Sequence, residues 1–94
     1  MEKIYEDIKY LGQKYSADKI VLFGSRARGD HKQRSDIDLA VYEMPQEKQP
    51  LFYWDIEEIP TLLKFDIVHI TKDTDKVLIE NIEKDGIVLY EKDR

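Results

Sequence analysis

Between Asp36 and Tyr42 the chain alternates with period two, placing Ile37, Leu39 and Val41 on one side and Asp36, Asp38, Ala40 and Tyr42 on the other. That period belongs to a β-strand with one buried face. It also sets two carboxylates on neighbouring same-face positions, where like charges repel and raise one another's pKa. Such a pair does not stabilise a strand, so a cation is expected beside it. Ten residues separate Asp36 from Ser25, which with Gly24 ends the β-branched and aromatic run Lys19 to Phe23. That run reads as a short buried strand followed by a turn.

The remaining elements follow from the same periodicities. Ile4, Ile8, Leu11 and Tyr15 form the apolar stripe of a helix over residues 2 to 15. Ser25 is expected to cap a short helix over 26 to 29, closed by Gly29. Residues 43 to 50, with two prolines and no period, read as a loop. Phe52, Ile56 and Ile59 keep helical spacing ahead of Pro60. Phe65 to Ile70 alternates again, with Asp66 opposite in facing to His69. Asp73 or Thr74 is expected to cap a helix whose inner stripe is Val77, Leu78 and Ile82; Gly86 stops it, and Ile87 to Tyr90 makes a closing strand. These elements predict a fold of interleaved helices and strands, and at 94 residues the chain is expected to form a single domain, 1–94.

The chain holds no cysteine, which excludes disulfides and thiolate zinc sites. No apolar run reaches the about 20 residues of a membrane span, and the N-terminus has no signal-peptide core, so a cytoplasmic protein without a membrane partner is expected. A net charge of −5 argues against gripping a nucleic-acid backbone. Positive charge is local instead, with Arg26, Arg28, Lys32 and Arg34 close together. A small polyanion such as a nucleoside triphosphate suits that cluster.

The chemistry follows from the residue types. Carboxylates at Asp36 and Asp38 share one strand face and can bind hard cations. Asp66 joins them if its strand lies alongside. Magnesium suits oxygen-only ligands with water and phosphate completing the shell, and two ions about 3.5 to 4 Å apart would serve an in-line displacement at phosphorus. The Gly24-Ser25 turn exposes backbone amides for phosphate, and Arg26 and Arg28 can add charge-assisted hydrogen bonds. Each feature alone has a plainer reading. The aspartates could be a solvated strand end, Gly24-Ser25 a turn, the cations an ordinary loop and the two histidines structural. The aromatic run from Leu51 to Trp54 is either core or partner surface.

Gly24-Ser25, the Asp36-x-Asp38 pair and a later strand aspartate at Asp66 together resemble the nucleotidyltransferase superfamily that includes DNA polymerase beta and kanamycin nucleotidyltransferase. The wording GSRARG through SDIDLAV, on so short a chain, is similar to the minimal nucleotidyltransferase (MNT) antitoxins paired with HEPN toxins. The resemblance implies the nucleotidyltransferase fold, an α/β (α+β) architecture with a small mixed β-sheet backed by helices, and transfer of AMP from ATP to a hydroxyl, a tyrosine of the partner HEPN RNase toxin, in a hetero-oligomer with that toxin. It implies Asp36, Asp38 and Asp66 as catalytic and metal-binding residues for Mg2+, and Gly24 and Ser25 as the phosphate-binding turn. The nucleotide-binding roles of Arg26 and Arg28 come from charge and spacing. Two alternatives stand beside this reading: a non-catalytic antitoxin binding module, and the catalytic subunit of a two-subunit small-molecule nucleotidyltransferase.

Overall fold

The computed structural model describes residues 1–93. Its elements run α1 (Glu2–Lys14), β1 (Lys19–Phe23), α2 (Ser25–Arg28), β2 (Ile37–Tyr42), a 3-10 turn (Gln46–Lys48), α3 (Gln49–Glu57), β3 (Phe65–Ile70), α4 (Lys76–Asp85) and β4 (Ile87–Glu91). The four strands form one sheet in the order β3-β2-β1-β4. β1 pairs antiparallel with β2 and with β4, whereas β2 and β3 run parallel. The sheet is therefore mixed, as the family resemblance implies.

One face is sealed by α1 and α3. Ile20, Leu22, Ile37, Leu39 and Val41 meet Ile8 and Leu11 of α1 and Phe52 and Ile56 of α3 in one buried cluster. Fully burying each such side chain stabilises the fold by about 1.5–3 kcal/mol. Tyr15 reinforces the α1–α3 seam, packing edge-on against Phe52 at 6.3 Å and donating its hydroxyl to Asp55 at 2.5 Å. The ambiguous aromatic segment is thus a helix with Phe52 alone of the run LFYW inside; Leu51, Tyr53 and Trp54 stay exposed.

The opposite face is covered by α4, but only at one end. Val21, Ala40 and Ile70 pack there with Ile82, flanked by Val68 and Ile79. Lys19 and Tyr42, at the far end of their strands, both reach Glu83 of α4, through an ion pair at 3.6 Å and a hydrogen bond at 3.2 Å. Burial and the Glu83 carboxylate push the Tyr42 hydroxyl up to about 12. At the other end of this face Phe23 packs against the edge of the same cluster, and Asp66 is exposed.

Several local expectations shift. Ser25 opens α2 as its first residue, and Gly24 takes the cap position, because Gly24 alone carries the positive φ of 74° that the turn needs. The segment 43 to 50 is not all loop: it tightens into the 3-10 turn and enters α3, where Pro50 sits in the first turn and its missing N–H costs no bond. The cap of α4 is Asp75, which accepts from the Val77 amide at 2.9 Å, whereas Thr74 closes the preceding turn by accepting from Thr71 N at 2.9 Å. The inner stripe of α4 is Ile79 and Ile82, and Val77 and Leu78 of the expected stripe are exposed. Gly86 follows α4 in an extended conformation and is needed for space: a Cβ there would lie 2.5 Å from Val21 Cγ1 and from the Ile82 carbonyl oxygen.

Candidate active site

The parallel pairing of β2 and β3 sets Asp38 directly opposite Asp66. On the other side of β2, Phe23 faces Asp38, and Gly24 follows it. Three neighbouring strands therefore carry, in a row, the glycine turn, one carboxylate and a second carboxylate. All lie at the end of the sheet face that α4 leaves uncovered. Asp36 precedes β2 by one residue, so the strand begins at Ile37 instead. Asp36 and Asp66 are exposed and Asp38 is half-buried.

Gly24 and Asp38 fit against each other closely. A Cβ built on Gly24 would overlap the Asp38 carboxylate oxygen Oδ2. Glycine is required there twice, for its φ and for that approach. Burial raises the Asp38 pKa above the ordinary 3.8, and the charges of Asp66 and then Asp36 raise it further, with Arg28 opposing them. Burial and like charge both disfavour the ionised form, which a bound cation would reverse.

The donor set therefore fits a hard divalent ion in chemistry: oxygen only, clustered and short of positive charge. Among the described residues no three His, Cys, Asp or Glu side chains converge closely enough to close a metal shell by themselves. Magnesium is commonly held by one or two carboxylates, with waters and substrate phosphates completing the octahedron, so an open acidic row suits it better than a cage.

The expected basic ligands divide. Arg28 is exposed and pairs with Asp30 at 3.1 Å, and its charge opposes the upward shift at Asp38. Arg26 is buried and turned away. Its Nε donates to the Ser35 carbonyl at 3.0 Å and its Nη2 to the Gln33 carbonyl at 3.1 Å, partners quite unlike the polyphosphate expected from its charge. His31 is exposed in the loop. His69 faces away from Asp66, with its Nδ1 buried without a partner among the described residues and its pKa lowered by burial.

A cleft of about 650 Å3 adjoins Asp36, walled by Gln33 and Arg34 on one side and by Thr61 to Lys64 on the other. Sequence reasoning had no signal for it. Its walls are two irregular loops that meet only because β2 and β3 start together, tied by the Ile37 amide donating to the Lys64 carbonyl at 2.9 Å.

The sequence pattern of the family described as polymerase beta, nucleotidyltransferase matches residues 6–94. A curated protein of Methanocaldococcus jannaschii, described as a candidate protein adenylyltransferase, is 36% identical over 69 residues, covering 70% of this chain and 77% of its own. In solved structures the fold recurs in the MntA-HepT toxin-antitoxin complex, with TM-score 0.69 and 18% identity over 98% of this chain and 74% of that one. It also recurs in a tri-AMPylated Shewanella oneidensis HEPN toxin bound to its MNT antitoxin, with TM-score 0.68 and 19% identity over 97% and 72%. A toxin-antitoxin structure with AMP-PNP gives TM-score 0.65 and 23% identity over 94% and 73%.

Proposed function

The chain belongs to the polymerase beta nucleotidyltransferase family, and from that premise we propose that it transfers AMP from ATP to a tyrosine hydroxyl of a partner HEPN RNase toxin in the cytoplasm, acting as its antitoxin. The observation that carries this reading is the in-register Asp38–Asp66 pair beside Gly24 on an uncovered sheet face. The description of the Methanocaldococcus jannaschii relative as a candidate protein adenylyltransferase supports the reaction type. The AMPylated toxin in the Shewanella complex supports the acceptor. Residues 1–94 act in this reading as one catalytic domain that forms a hetero-oligomer with the toxin and does not bind nucleic acid itself.

Asp36, Asp38 and Asp66 would hold magnesium together with the substrate phosphates, and Gly24, Ser25 and Arg28 would hold the triphosphate. When bound, magnesium neutralises charge on the polyphosphate oxygens. The phenolic oxygen attacks the α-phosphorus. The new O–P bond forms as the bond from that phosphorus to the bridging oxygen breaks, and pyrophosphate leaves with the electron pair. The phenolic proton passes to the Asp66 carboxylate, which is exposed, and from there to water. Gly24 and Asp66 flank Asp38 from opposite sides, which suits a leaving group on the β1 side and an acceptor on the β3 side.

The test is to incubate the protein with labelled ATP, magnesium and the toxin encoded beside it, then repeat with Asp36→Ala and Asp38→Ala. Label on the toxin that disappears with either variant is expected. No label with wild type, or undiminished label with both variants, overturns the reading. A second reading rests on the exposed Leu51, Tyr53 and Trp54: a module that neutralises its partner by binding. Neutralisation that survives both variants would favour it.

A further inference from the structure

Arg26 is the one charged side chain buried among the described residues, although it follows directly on the Gly24-Ser25 turn. Its guanidinium spans two carbonyls of the turn from Lys32 to Ser35. That turn is closed by the Lys32 amide donating to Ser35 Oγ at 2.8 Å and the Ser35 amide donating to the Lys32 carbonyl at 3.1 Å. Asp36 is the next residue. It lies outside the paired register, which begins at Ile37 and Phe65. Asp36 is thus held between a strand start on one side and a carbonyl clamped by Arg26 on the other.

We propose that Arg26 is a positioning residue for Asp36, fixing the distance between the Gly24-Ser25 turn and the first carboxylate of the acidic row. The proposal rests on the reading of that row as the transfer site. The physical reason is cost. A buried guanidinium needs its hydrogen bonds, and moving it to a phosphate would leave two carbonyls without their donor. A planar fork can hold two acceptors at once, which an ammonium cannot do with the same geometry. The tie also runs from the residue after Ser25 to the residue before Asp36, so it bridges the whole intervening loop and makes the spacing of turn and carboxylate a rigid quantity.

The test uses Arg26→Ala and Arg26→Lys in the full chain, with three readouts: melting temperature, amide hydrogen exchange across residues 32–37 without nucleotide, and the separation of kcat from the KM for ATP. The expected result for Arg26→Ala is faster exchange in that segment and a kcat lowered on the order of ten- to a hundredfold, as small misplacements do, with KM changed less than about threefold. Arg26→Lys should fall between the variant and wild type in both exchange and kcat. If Arg26→Ala melts below the assay temperature, the lysine variant decides alone. A KM raised on the order of tenfold with kcat and exchange unchanged would make Arg26 a phosphate ligand and overturn the proposal. Unchanged exchange with unchanged kcat overturns it as well. A wild-type protein that transfers nothing would defeat the functional reading, whereas the exchange arm, which needs no ATP, still judges Arg26.

Discussion

The two faces of the sheet are built to opposite ends. Beneath α1 and α3, the row Ile37, Leu39 and Val41 is wholly buried and apolar. On the other face, the same strand presents Asp38, Ala40 and Tyr42, and α4 covers only the end near Ala40 and Tyr42. One strand therefore spends its odd positions on stability and divides its even positions between packing and chemistry. The difference teaches that the second face is left half-open at a cost: the carboxylates there repel, and the pKa of Asp38 is raised in consequence. A site under that strain is where stability and function should separate.

The largest expected effect is on chemistry. Asp38→Asn should lower AMP transfer at saturating ATP by a factor on the order of a thousand or more, read as label incorporated per minute. Near-normal transfer would break the assignment of the open end to catalysis. Next comes the sealed face, where Phe52→Ala should cost about 3–5 kcal/mol in urea unfolding, because Phe52 is fully buried between helix and sheet. Ile82→Ala, on the half-open face, should cost nearer to about 2 kcal/mol, since its cluster is smaller and borders solvent. Equal losses at the two positions would erase the asymmetry.

The smallest effect sharpens the comparison most. At pH 7, Asp38→Asn should raise the melting temperature, by less than about 4 °C because the group is half exposed and its repulsion is screened by solvent. The sign follows from the raised pKa. In the wild type the penalty is absent below the ordinary value of 3.8, grows as pH rises, and is complete once pH passes the raised folded value. The gain should therefore vanish on acidification and reach its plateau near neutrality. A melting temperature that falls at pH 7 would mean the carboxylate stabilises the fold.

Much of this was legible in the residues because it is local. The strand Lys19–Phe23 matches the β-branched and aromatic run, Phe65–Ile70 matches the alternating one, and the stripe of Ile4, Ile8, Leu11 and Tyr15 matches α1. Less local features shifted. The cap of α4 is Asp75, and neither Asp73 nor Thr74 takes it: Thr74 Oγ1 accepts from the Thr71 amide, and Asp75 accepts from the Val77 amide. Charge and spacing read Arg26 as a nucleotide ligand, but its guanidinium donates to two backbone carbonyls seven and nine residues along the chain.

By itself, the order of residues determined which side chains share a strand face and where helices present apolar stripes, since φ/ψ periodicity decides both within a few residues. It thereby put Asp36 and Asp38 together and Ile37, Leu39 and Val41 opposite. Tertiary structure alone decided that β3 lies parallel beside β2 with Asp66 across from Asp38, that Gly24 presses on that carboxylate, and that two loops enclose a cleft at Asp36. Those facts depend on register between segments far apart in the chain, which is set by how the whole apolar surface packs and not by any local preference.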